Sequence, residues 1–309
     1  MIKFITKRLL WVIPIMIGVS LVVFAIMHYS PGDPATIILG ESAPPEAIEQ
    51  LRAEMGLDKP FLIQYFRYIS NAVLNFDLGR SYISNRAVSS EILTRLPNTL
   101  KLAGLSIAIA TLIGIPLGVI ASRNPYSKLD NATMMVSLVG VSMPTFWQGL
   151  ILIIVFSLNL KWFPSTGFTT WQQMVLPVVT LASSSIGSIA RITRSSMLDV
   201  AGQDYIRTAK AKGLATSKVV YGHTLRNALI PVVTVIGLQF GSLLGGAVLT
   251  ESIFSVNGLG TLMVLAIRQR DLMIVQGSVL FIAFVFTIVN LCVDILYGYI
   301  DPRVRSQFK

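Results

Sequence analysis

Of 309 residues, 53% are hydrophobic and 13% charged, and the mean hydropathy is +0.68. Soluble domains carry about a quarter charged residues, so a water-soluble fold is excluded and the class is integral membrane. A net charge of +10 would speak for nucleic acid in a soluble protein; here the cations flank apolar runs, where topology and anionic lipid headgroups explain them.

The first apolar run covers 9–29, behind Lys3, Lys7 and Arg8. At about 21 residues it can cross roughly 30 Å of hydrocarbon. His28-Tyr29-Ser30-Pro31 offers no signal-peptidase site, which predicts a retained first span. Residues 30–97, up to a boundary at Pro97, are polar, mixed in charge and too long for a connector. They hold a turn cluster, Pro31-Gly32-Asp33-Pro34. A helix is predicted over 45–55, opened by Pro45 and Glu46 and closed by Gly56. A second is predicted over 61–73, with Leu62, Tyr65, Phe66 and Ile69 on a stripe that packs against the neighbouring span. The segment is expected to be a small helical subdomain outside the membrane.

Further apolar runs follow at 100–122, 134–158, 174–190, 228–250 and 275–299. With the first they predict an all-α protein of six transmembrane helices, the 174–190 run being the shortest. Lys3, Lys7, Arg8, Arg123, Lys128, the 191–231 cations and Arg303, Arg305 and Lys309 fall on one side; the short loops opposite hold Lys161, Arg268 and Arg270. That bias places both termini and the 191–231 loop in the cytoplasm. Pro14, Pro116, Pro144 and Pro177 lie inside runs and predict bends.

The stretch 191–231 is the long polar segment between apolar ones. Arg191, Arg194, Arg207, Lys210, Lys212, Lys218 and Arg226 stand there against Asp199 and Asp204. A short helix is predicted from Gln203 to Lys212, closed by Gly213 in a left-handed cap. A basic helical loop can be a docking surface, or basic only because that orients the protein.

Signals for enzymatic chemistry are poor. No GxxxxGK[ST] stretch is present, so ATP hydrolysis is not expected of this chain. His28 and His223 fall on opposite sides of the membrane and cannot share a metal. Cys292 reads as a small buried hydrophobe. Asp294 is the clear intramembrane charge: either a proton relay, or a structural pair to Arg191 or Arg194. In the fifth run Thr234, Gln239, Gly241, Ser242, Gly245 and Gly246 share a helical face about 160° wide. That face can line an aqueous path or permit close helix packing. Ser183, Ser184, Ser185 and Ser188 are a weaker case.

The 191–231 stretch resembles the EAA loop of binding-protein-dependent ABC importer permeases, in the dipeptide/oligopeptide/nickel group. The general pattern is Glu-Ala-Ala, three residues, Gly, nine residues, Ile-x-Leu-Pro. Anchored on Gly213, Arg207-Thr208-Ala209 takes the Glu-Ala-Ala place, His223 stands for Ile and Arg226 for Pro. Arg207 thus reverses the family charge, while RTAKAKGL followed by LRNALIP is similar to the peptide-group form. Pro31 to Pro34, Asp77 to Ser81, Leu96 to Thr99, Ala190 to Arg194, Glu251 to Phe254 with Gly258 to Gly260, and Asp294, Tyr297 and Asp301 to Arg303 extend the likeness along nearly the whole chain.

The resemblance implies a type I permease core over 95–300 after the first span (1–29) and an extracytoplasmic segment (30–94), with a cytoplasmic tail at 301–309. It implies a related second permease subunit, two cytoplasmic ATPases that bind ATP and Mg, and an extracytoplasmic binding protein. No cofactor is expected on this chain itself. Gln203, Asp204, Tyr205, Ile206, Arg207, Thr208, Ala209, Lys210, Ala211, Lys212 and Gly213 would form the coupling helix, with Ala209 giving the ATPase a flat face. The cargo implied is a peptide, with nickel or another small solute as the alternative.

Overall fold

The computed structural model describes residues 2–30, 32–40 and 42–300. The side chains of residues 2–5, 7–9, 294 and 296–300 and the whole of 301–309 lie outside that description, and with them the roles expected of Asp294, Tyr297 and the tail. Among the described residues the chain is helical throughout, with no strand.

Helix α1 (Ile2–Tyr29) is followed by α2 (Pro34–Leu39), α3 (Pro45–Met55) and α4 (Phe61–Leu74). The breaks fall where the sequence demands them. Asp33 caps α2 by accepting from Thr36 N at 3.1 Å, and Gly56 closes α3 in the left-handed region at φ 72°. Arg52 reaches back from α3 to Asp33 at 3.2 Å. Partial burial pulls the Asp33 carboxyl upward, but the bonds from Thr36 and Arg52 outweigh it and hold it below the usual carboxylate range.

Helix α5 (Val88–Arg123) is 36 residues long and continues unbroken through Pro97 and Pro116. The sequence predicts this span from residue 100. The structure opens it a dozen residues earlier, because Val88 and Ile92 are fully buried and extend the apolar face back past Pro97. Helix α8 (Trp171–Ala201) is likewise 31 residues long rather than the shortest. It is also central: 56% of its most apolar stretch is buried, against 11% for α1. Arg191 and Arg194 hide its length from hydropathy.

The run at 134–158 is not one unbroken helix. Helix α6 (Lys128–Ser142) and α7 (Thr145–Leu152), which widens into a π-helical turn over Ile153–Asn159, meet at a bend of 103°. Pro144 cannot donate to the preceding turn and disfavours a helical Met143; Met143 is extended at ψ 126°.

Directions follow from the contacts. Ser106 donates to Val178 O at 3.3 Å, and Gly114 and Gly118 lie against Ile189 and Thr193. Residue numbers rise together, so α5 and α8 run parallel. A methyl group at Gly118 would come within 2.6 Å of the Ala190 carbonyl, so glycine lets the two backbones touch. In lipid, such packing rather than the hydrophobic effect holds helices together. Because α5 and α8 point the same way, the chain between them must return toward the end from which α5 starts.

Helix α10 (Arg226–Ile253) descends antiparallel to both, then α11 (Leu259–Gln269) and α12 (Leu272–Ile300) follow. Gly237 packs on Val293, and Gly241 on Phe286 and Asn290. The sequence did not predict α11.

Side-chain ties close the bundle. Glu251 is fully buried; its carboxylate accepts from Thr99 Oγ1 at 2.7 Å and from the N–H groups of Gly260 and Thr261 at 2.7 and 3.2 Å. Thr99 in turn accepts from Leu259 N at 2.9 Å. The buried Asp271 accepts from Ser81 Oγ and from Tyr82 N, the latter at 3.2 Å. Burial, with Asp271 nearby, pushes the Tyr82 phenol well above its ordinary value. At the other end Asp130 takes both Arg194 Nε and Nη2. Arg194 is therefore held by Asp130. Cys292 is exposed rather than buried, because α12 turns that edge away from its neighbours.

Candidate functional site

Helix α8 ends at Gly202, and α9 (Asp204–Ala211) begins two residues on. The segment read as one long polar loop is thus short: α8 reaches to 201, a π-helical turn occupies Lys218–Leu225, and α10 starts at Arg226. Gly213 carries φ +75° with nothing within 4 Å of a methyl group placed on it, as the predicted left-handed cap allows. Leu214 N bonds back to Ala209 O at 3.4 Å and Gly213 N to Lys210 O at 3.0 Å.

Helix α9 has an inner and an outer face. Ile206, fully buried, and Ala209, 8% exposed, pack on Val219, Val200 and Leu214. Gln203, Asp204, Tyr205, Arg207, Thr208, Lys210, Ala211 and Lys212 are exposed, Tyr205 to 47%. The expectation that Ala209 offers a flat outward face is corrected: its methyl faces the chain's own turn, and Ala211 is the small residue on the crest. The reason is periodicity. Ile206 and Ala209, three apart, form the apolar edge, and the turn beyond Gly213 folds onto it. Arg207, where the family pattern has Glu, pairs with Asp204 at 3.6 Å on the open surface, where water and salt screen it. The outer face therefore presents cations on a short helix tied to the base of α8.

The six residues of the predicted lining face do not act as one. Gly241 is buried against Phe286 and Asn290 of α12 and serves packing. Ser242, Gly245 and Gly246 are exposed, and nothing lies within 4 Å of a methyl group placed on either glycine. Thr234 and Gln239 are half-buried, and Thr234 Oγ1 donates to Ile230 O at 3.3 Å. An open strip of Leu238, Ser242, Gly245 and Leu249 remains on α10. Beside the bend, Ser183 donates to Gln148 Oε1 at 2.6 Å. Sequence reasoning missed the Glu251 and Asp271 ties, although acidic residues at the edges of apolar runs were the available signal. Among the described residues no group of His, Cys, Asp and Glu could hold a metal.

Two sequence families match the chain. One, described as the N-terminal part of binding-protein-dependent transport system membrane components, matches residues 1–103. The other, binding-protein-dependent transport system inner membrane component, matches 114–306. A Brucella abortus (strain 2308) protein, provisionally named a peptide transport system permease protein, is 45% identical over 97% of this chain and 98% of its own. The glutathione transport system permease protein GsiC of Escherichia coli O6:H1 is 44% identical over 99% of this chain and all of its own. In fold, the chain is similar to a subunit of the MetNI methionine ABC transporter, with a TM-score of 0.57 at 16% identity over 68% of this chain and 96% of the other. The tied helical bundle, its short cationic helix and two family matches that together run from residue 1 to 306 lead to one conclusion: the chain belongs to the binding-protein-dependent transport system inner membrane components, the permeases of ABC importers.

Proposed function

We propose that this permease subunit moves peptides into a prokaryotic cell across the cytoplasmic membrane. The likeness to relatives named for peptides and for glutathione, itself a tripeptide, at 44–45% identity over nearly the whole chain carries the reading. Nickel or another small solute in the same machine is the alternative, and a stand-alone ion-driven carrier is less favoured.

The chain crosses the bilayer six times, the third crossing being the bent α6–α7 pair. The parallel α5 and α8 support this count. Both termini and α9 are cytoplasmic, in keeping with the cations gathered at the α9 end. Residues 30–94 lie on the extracytoplasmic side, where a binding protein delivers cargo. A second, related permease subunit faces the open strip of α10, and the pathway runs between them past Ser242, Gly245 and Gly246. Gln203 to Gly213 is the coupling helix, seated in a groove of one of two cytoplasmic ATPases, which hold ATP and Mg. Closure of those subunits moves α9 as a rigid body and biases the bundle toward an outward-open state. The chain meets lipid around its rim and no nucleic acid.

The test is reconstitution. Vesicles holding both permeases, both ATPases and the binding protein should accumulate labelled di- or tripeptide only with ATP, with competition by peptides and not by nickel. Uptake by this chain alone would refute the reading.

A further inference from the structure

Helix α4 has three faces. At 100° per residue, Phe61, Tyr65 and Tyr68 form one arc, and this arc lies on α1. The Phe24 ring sits 5.4 Å from Phe61, 5.6 Å from Tyr65 and 6.1 Å from Tyr68. The Tyr65 hydroxyl shares a hydrogen bond of 2.8 Å with Ser20 Oγ. A second arc is polar: Gln64, Arg67 and Asn71. Gln64 Nε2 donates to the carbonyls of Leu57 and Lys59 at 3.0 and 2.8 Å, so this arc turns toward the α3–α4 loop. The third arc, roughly opposite the polar one, is apolar and bare. Leu62 is 58% exposed, Phe66 65% and Val73 64%.

The contacts with α1 fix the depth of this bare arc. The apolar stretch of α1 is Leu10–Tyr29. Phe24 and Ser20 lie five and nine residues inside its end, about 7–14 Å of helix rise. Amphipathic helices seated at a bilayer surface bury their apolar faces by about 5–10 Å. Val22 and Ile26, on α1 at the same level, are also bare, at 58% and 57%. Both helices thus expose apolar side chains at this depth.

We propose that α4 is seated in the outer leaflet, with lipid acyl chains covering Leu62, Phe66 and Val73 and the Gln64–Arg67–Asn71 arc turned to water. This modifies the expectation that the whole insertion stands outside the membrane: α2 and α3 do, and α4 ties them to the bilayer. The occupant is lipid because the polar and apolar arcs oppose one another at the depth where a bilayer changes from headgroup to hydrocarbon. The proposal needs α1 to span the membrane and is independent of cargo.

The test uses full-length chain with Cys292→Ser, single cysteines Leu62→Cys, Phe66→Cys and Asn71→Cys, and a nitroxide label, in native membranes and in reconstituted bilayers. Labels at 62 and 66 should collide more with oxygen than with a water-soluble nickel chelate, and the ratio should invert at 71. Preferential collision with the chelate at 62 and 66 would overturn the proposal. So would shielding of both positions from either reagent in native membranes, which would mean that another protein covers the arc.

Discussion

The hydroxyl of Thr99 donates to the carboxylate of Glu251 at 2.7 Å and accepts from Leu259 N at 2.9 Å. Two side chains 152 positions apart thus fasten α5 to the α10–α11 corner. Thr99→Val keeps the shape but leaves Leu259 N–H and one carboxylate oxygen without a partner. A buried bond of this kind is worth about 1–3 kcal/mol, so the variant should unfold at lower temperature in detergent. Glu251→Ala, which strips three donors of their acceptor, should lose more than Thr99→Val does.

Gly213 sits at φ +75° in open space, so side-chain volume is tolerated and conformation is not. Gly213→Asp should insert and assemble normally yet uncouple ATP hydrolysis from uptake. Measurement of ATPase rate and transport on the same vesicles checks this; normal transport would refute the role given to this corner.

The two alanines of α9 should respond in opposite ways. Ala209→Trp forces a ring into the contact with Val219 and Leu214, and overpacking of this kind costs about 1–3 kcal/mol. Ala211→Trp stands on the exposed crest and should leave thermal stability unchanged while abolishing stimulation of the ATPases. Equal loss of stability in both would contradict the assigned faces.

Gly118→Ala places a methyl group within 2.6 Å of the Ala190 carbonyl. Neither backbone can yield cheaply, so a loss of about 1–3 kcal/mol is expected. Gly245→Ala, with nothing near it, should be neutral in stability, and any effect should appear in transport.

Asp33 has a folded-state pKa below its ordinary 3.8. A depressed carboxylate contributes stability that is complete above the unfolded value and fades as pH falls through the folded one. Below about pH 4 the tie between α2 and α3 should therefore loosen. Hydrogen-exchange protection at Thr36 and Ile37, taken relative to the intrinsic rate at each pH, should fall from pH 5 to pH 3 in the wild type; Asp33→Asn should be less protected already at pH 5 and less dependent on pH.

Much of the fold was legible because lipid imposes a simple rule: a helix must be apolar for the thickness of the bilayer. Hydropathy found the runs and misjudged their ends. Helix α8 looked short because Arg191 and Arg194 interrupt the apolar signal, whereas the structure hides Arg194 on Asp130. Pro97 looked like a boundary, yet α5 runs through it; Pro144 looked like a kink, and it turns the chain by 103°. The hydropathy pattern alone did not separate the two prolines. At α9 the sequence located the helix, its cap and its charge. It did not say which alanine faces outward, because that depends on the turn at 218–225 folding back.

Helix α8 passes without a break from Trp171 to Ala201, where Gly202 joins it to α9. Its 31 residues make a lever arm about 45 Å long. Locked to α5 through glycine contacts, it can tilt only as part of a double beam. In the proposed coupling, a push at α9 that tilts this beam by about 5° would sweep its distant tip through roughly 4 Å, a displacement at the far end that needs no helix to melt.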